Sequence, residues 1–274
     1  VLLPGGMDPA AAPTVGLAAV VTGSLGQVAE ASRRFFPNLP QMPLIVPLLA
    51  AIAICFIFGM INGIAIAKFS IPPFIVTLGT GMIIWGANLL YYDLEPNNSQ
   101  PIGNIQPDIK FTGSGYLFGS IPVIIVIAVA VVLVVWFIMK YTTFGRSIYT
   151  IGGNRDAAEV CGINVSRTLI WTYALAAVTF AIGGFLECAR TNGATAAYGE
   201  NYEFDAIAAC VVGGVSNSGG VGTVPGMVLG VLMFGIINYG LTFLGVQPYW
   251  QKIVKGIIIL LAVGFDVRKN IRKK

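Results

Sequence analysis

No histidine occurs among the 274 residues, so the usual general base, the usual triad base and the commonest zinc ligand are missing together. Cysteine is scarce as well. Cys55, Cys161, Cys188 and Cys210 stand far apart with no CxxC pair, which suggests neither a metal site nor a disulfide framework. Charge is thin throughout: 10% of residues are charged, against about 25% in a soluble domain, so the chain cannot cover itself with polar surface. The formal net charge of +4 says little by itself, because in a membrane protein the placement of Lys and Arg matters more than their sum.

What the chain has in place of charge is oil. Hydrophobic residues make up 56% and the mean hydropathy is +0.81. Eight apolar segments can be read, at 15–30, 44–67, 74–92, 119–139, 168–188, 204–217, 221–243 and 251–266. Several reach the roughly 20 residues that cross about 30 Å of hydrocarbon as a helix, which satisfies its own backbone there. Those starting at 15, 204 and 251 are shorter, and a re-entrant or surface helix is the plainer alternative for each. The expected fold is therefore all-α: one polytopic transmembrane bundle over 1–274, with about eight crossings.

Basic residues orient it. Lys140, Arg146, Arg155 and Arg167 lie in or beside the loop 141–167, and Arg268, Lys269, Arg272, Lys273 and Lys274 form the tail. Both regions are expected on the cytoplasmic side, so an even number of crossings separates them and the short segment at 204–217 must cross. Arg33 and Arg34 fall on the outer side in this scheme, against the rule. The opening "LLPGGMDPAAAP" reads like a turn and begins without Met, so two further helices upstream, ten crossings in all, are expected.

Within that oily frame "GGNRDAAEVCGIN" at 152–164 stands out, with Arg155, Asp156 and Glu159 placed between paired glycines and Gly162. Asn154 suits a helix N-cap, Asp156 a first turn and Gly162 a C-terminal stop, so about two turns of helix are expected on the cytoplasmic face. So short a helix must pack against something: its own loops, lipid headgroups or a partner. The glycine-rich stretch 213–226, "GGVSNSGGVGTVPG", fits neither GxxxxGK[ST] nor GxGxxG, and no nucleotide site follows from it. Gly222, Gly226 and Gly230 recur every fourth residue, a spacing that favours close helix contact.

"FGRSIYTIGGNRDAAEVCGINV", "FDAIAACVVGGVSNSGGVGTVPGMVLG" and "INYGLTFLGVQPYWQKIVKGIIILLAV" together resemble the permease subunit of bacterial ABC sugar importers of the ribose, xylose and galactose group. The likeness runs from about residue 44 to the end and includes "GLAAVV" at 16–21. It implies an inner-membrane importer for a monosaccharide, with galactose or methyl-galactoside favoured. Its parts would be two permease copies, a cytoplasmic ATP-binding subunit that hydrolyses the nucleotide, and a periplasmic sugar-binding protein. No cofactor, catalytic residue, metal or nucleic acid is implied in the permease.

By that resemblance Gly152, Gly153, Asn154, Arg155, Asp156, Ala157, Ala158, Glu159 and Gly162 form the coupling helix that docks on the ATPase. The superfamily's usual Glu is replaced by Asp156, and the opening "GGMDPAAAPTVGL" departs from the relatives' "GGIDLS". A sugar pathway calls for uncharged polar and aromatic groups. Candidates are Asn62, Asn88, Tyr91, Asn238, Tyr239 and Thr242, with Ser216, Asn217 and Ser218 at the inner mouth; helix-to-helix hydrogen bonds are an equal alternative. Glu200, Glu203 and Asp205 are expected at the periplasmic face, where they would receive the binding protein. A secondary transporter is the runner-up and needs an acid near mid-membrane, which the segments do not offer. An intramembrane enzyme ranks last for want of any histidine.

Overall fold

The computed structural model describes residues 1–31 and 33–271, without the side chains of 262, 263 and 265–271. Arg272, Lys273 and Lys274, with the side chains of Arg268 and Lys269, therefore lie outside the described residues. The chain is mostly helical, and each of the eight apolar segments carries a helix. In order these are α1 (Ala11–Leu25), α2 (Ile45–Phe69), α3 (Pro73–Asp93), α4 (Pro107–Ser114), α5 (Val123–Tyr141), α6 (Thr143–Gly153), α7 (Arg155–Val160), α8 (Val165–Thr191), α9 (Tyr202–Val212), α10 (Val224–Phe243) and α11 (Pro248–Ile271). Among the described residues, five of them, α2, α3, α5, α8 and α10, are long and apolar enough to cross a membrane by length and composition. Two short ribbons complete the described residues: β1 (Ile102–Gly103) pairs antiparallel with β4 (Gly193–Ala194), and β2 (Tyr116–Leu117) with β3 (Ile121–Pro122).

The residues fall into two compact units. One comprises 9–134 and 170–200, the other 1–8, 135–169 and 201–274. In the first, α1 is the covered element: eleven of its fifteen residues are buried, a consequence of its small Gly, Ala, Ser and Thr side chains. α2, α3 and α8 close around it through Leu17, Ala18, Ala51, Cys55, Ile84, Ala177 and Ala181. Glycines set the spacing. A Cβ at Gly59 would stand 2.6 Å from that of Ala177, and one at Gly63 2.6 Å from the Ile170 Cα, so α2 and α8 meet nearly backbone to backbone. By contrast α5 carries Ile125, Val129, Leu133 and Phe137 more than half exposed, the surface expected of a helix facing acyl chains.

A layer of loops covers the Gly26 end of α1. Phe35, Ile102, Ile105, Ile109 and Ala194 pack there on Val20, Phe185 and Cys188. Gln27 ties the layer together: its Oε1 accepts from Phe35 N at 2.7 Å, and its Nε2 donates to the Gly103 and Arg33 carbonyls, each at 3.1 Å. Since Gln27 is 3% exposed, Gln27→Ala would leave the Phe35 N–H buried without a partner. The expected cost is about 1 to 3 kcal/mol, read as a lower thermal midpoint of the purified protein in detergent.

In the second unit α9 packs on α10 and α11 through Ala208, Ala209, Phe234, Ile258 and Ile259. The four-residue glycine spacing holds in part: a Cβ at Gly226 would meet the Gly213 carbonyl at 2.5 Å, and one at Gly230 the Gly213 nitrogen at 2.6 Å. Gly222, however, precedes α10 in the loop capped by Thr223, with φ +154.

Candidate functional site

The cytoplasmic loop of the sequence reading folds as two helices that meet at Asn154. The Thr142 hydroxyl caps α6, accepting from Gly145 N at 3.1 Å. Asn154 leaves helical geometry and its Oδ1 accepts from Ala157 N at 3.0 Å, which starts α7. Asp156 sits in the first turn and Gly162 turns the chain at φ +78. Capping, first-turn charge and glycine stop thus fall as the sequence implies.

The faces of α7 require a correction. Ala158 is fully buried within the chain, so it is not available to enter a partner's groove. Ala157 is exposed, and Val160 projects with 89% of its surface free. Three residues apart, these two lie on one side of the helix, while Arg155 and Glu159 form an exposed pair at 3.7 Å on another. Val160 was missed in the sequence; its signal was an apolar residue three positions after Ala157 in an otherwise polar stretch.

α6 is strapped to the glycine-rich loop 213–223. The Tyr149 hydroxyl donates to the Gly222 carbonyl at 2.9 Å, and Gly220 N donates to the Leu3 carbonyl at 2.8 Å. Gly152 permits this, because any Cβ there would fall on the Leu3 carbonyl. Burial pushes the Tyr149 phenol above its ordinary range, so the donor survives at any physiological pH. Within the loop, Ser216 is buried and its Oγ accepts from Ser218 N at 3.3 Å. This employs the 216–218 turn in local structure.

The pathway candidates divide. Asn62 and Asn88 are buried to 4% and 1% exposure, each with an Oδ1 that has no hydrogen-bond partner. The Tyr91 hydroxyl is spent on Ser24 Oγ at 2.7 Å, a helix-to-helix bond. On α10, Asn238 Oδ1 is also unpartnered, the Thr242 hydroxyl donates to the Asn238 carbonyl at 2.9 Å, and Tyr239 points outward at 75% exposure.

The region after α8 departs furthest from expectation. Where a helix over 204–217 was to cross, α9 has 11 residues, about 17 Å at 1.5 Å per residue, too short to span alone. It is preceded by a non-helical stretch, 192–201, bracketed by Asn192 and Asn201 in left-handed geometry. Gly199 packs on Ala12 and Gly16 of α1, while Gly81 of α3 packs on Ala10 and a Cβ at Gly16 would stand 3.8 Å from Asn88 Nδ2. Gly199 therefore lies level with the middle of α3. Glu200 follows directly, deep along the helices rather than at a face, and Glu203 and Asp205 come next in the first turn of α9. Asp205 is held by Lys255 at 2.7 Å.

A family model described as "Branched-chain amino acid transport system / permease component" matches residues 3–263. The chain belongs to this permease family. The permease is 45% identical over 276 residues to the galactose/methyl galactoside import permease protein MglC of Haemophilus influenzae, covering 100% of this chain and 82% of that protein. It is 47% identical to MglC of Escherichia coli K12, covering 98% and 80%. It is 41% identical to the ribose import permease protein RbsC of Bacillus subtilis, covering 76% and 64%. No solved structure matches the permease.

Proposed function

We propose that this permease forms the translocation pathway of an ATP-driven importer for a monosaccharide, with galactose or its methyl glycoside as the favoured cargo. The observation that carries the reading is the likeness to sugar import permeases over the whole chain, at 45% to 47% identity with the galactose members. The α6–α7 pair supports it: a rigidly capped element with Ala157 and Val160 exposed can seat in a groove of an ATP-hydrolysing subunit. A periplasmic binding protein delivers the sugar, and two permease copies assemble around the route. In this arrangement the chain crosses the inner membrane about eight times and its C-terminus is cytoplasmic.

Glu200 supplies the mid-depth acid that ion-coupled transport would need, so the test must separate the two energy sources. Vesicles containing the permease, its ATPase and its binding protein should accumulate labelled galactose only with ATP and all three proteins present. Uptake by the permease alone under an ion gradient would establish the carrier reading instead. Fully active complexes holding a single permease copy would refute the dimer.

A further inference from the structure

The stretch between α8 and α9 has the wrong backbone for its depth. From β4 it runs back along α1: Ala194 lies at Gly23, where its Cβ would stand 3.0 Å from one built on that glycine, the Tyr198 carbonyl lies at Gly16, and Gly199 lies against the Ala12 carbonyl. Gly23 to Ala12 is about 16 Å of helix axis at 1.5 Å per residue. Over that descent two local turns are made, Tyr198 N to the Thr195 carbonyl and Glu200 N to the Ala197 carbonyl, each at 3.2 Å. The remaining amides and carbonyls have no helical ladder. Such backbone is tolerated inside a bilayer only where protein covers it or water reaches it.

The two sides of the stretch differ. Gly199 is buried against α1, whereas Ala197 and Glu200 are exposed. A carboxylate at this depth cannot face acyl chains, and neither can unladdered backbone, so the exposed side meets either water or the surface of another subunit. Beneath the Tyr198 carbonyl, at Gly16, lies Asn88, 1% exposed and with its Oδ1 unpartnered.

We infer that Thr195–Glu200 lines the aqueous route through the membrane, and that its non-helical backbone and the Glu200 side chain exchange hydrogen bonds with the hydroxyls of the passing sugar. The sugar part rests on the function proposed above; the aqueous lining does not. A non-helical lining suits a solute that is all donors and acceptors, because it offers backbone partners that a helix keeps for itself.

The test is thiol accessibility in the assembled importer in liposomes, in a background with Cys161 and Cys210 replaced by Ala. Ala197→Cys should react with a charged methanethiosulfonate, at rest or during ATP turnover, at least about tenfold faster than Val129→Cys on the exposed face of α5, since a thiol in apolar surroundings is inert. Reaction no faster than at Val129→Cys in both states overturns the lining. Saturating galactose with binding protein should slow the reaction during turnover. If labelling is fast but galactose leaves the rate unchanged, the hydrogen bonding to sugar is overturned and the lining stands. Protection by a different solute would overturn the cargo assignment while supporting the lining.

Discussion

Val160→Asp is expected to strip the ATP-hydrolysing subunit from the permease while leaving the permease folded in the membrane. Val160 projects from the end of α7 with 89% of its surface exposed, so its replacement disturbs nothing within the chain. At an interface the same side chain contributes about 1.5 to 3 kcal/mol by burial, and a carboxylate in its place adds a desolvation penalty. Affinity should fall by roughly 10- to 100-fold or more. Ala157→Trp, on the same exposed side, should act alike through bulk. Glu159→Gln should be mild, because the Arg155–Glu159 pair is exposed and worth about 0 to 1 kcal/mol. Ala158→Trp should show the opposite signature: a residue with no exposed surface leaves no room for an indole, so the α6–α7 pair itself is disrupted. Co-purification of the ATPase and sugar-stimulated ATP hydrolysis read all four. Wild-type values for Val160→Asp would remove α7 from the interface.

Two adjacent glycines of α8 should give opposite results. A Cβ at Gly184 would fall on the Val15 carbonyl and lie 2.6 Å from the Ala18 Cβ, so Gly184→Ala forces α1 and α8 apart. Backbone cannot yield as a flexible side chain can, and a loss of about 1 to 3 kcal/mol or more is expected. At Gly183 the same methyl meets open space, and Gly183→Ala should gain up to about 1 kcal/mol from helix propensity alone. Thermal unfolding of the two variants in detergent distinguishes them; equal midpoints would mean that α1 does not pack on α8 as described.

Hydropathy located all eight helical segments, because burial in lipid or protein demands apolar side chains either way. It misjudged 204–217, since "CVVGGV" is as apolar as a spanning helix although the helix stops at Val212, before Gly213. The non-helical approach was marked in the sequence by Asn192, Gly193, Gly199 and Asn201, turn residues between two apolar runs. Reading them as an outer loop hid the run of 194–199 back along α1. For the coupling element, composition revealed the caps, which are local chemistry, but not which alanine faces inward, which depends on partners far away in the chain. The strap of Tyr149 to Gly222 and of Leu3 to Gly220 was illegible for the same reason. Among the pathway candidates, polarity alone could not separate Tyr91, spent on Ser24, from Asn88, whose oxygen has no partner.

The covering of α1 has a consequence for biogenesis. With 15 residues, about 22 Å at 1.5 Å per residue, and with Thr14, Thr22 and Ser24 all buried, α1 is a poor candidate to partition into lipid as it leaves the ribosome. Its environment is built later, by α2 and α3 and finally by α8 and the stretch after it, some 170 residues downstream of its own start. During synthesis α1 must therefore wait, held at the translocon or the interface, until those helices arrive to receive it. Truncation of the nascent chain before Thr191 should leave α1 open to protease, and extension past Glu200 should close it.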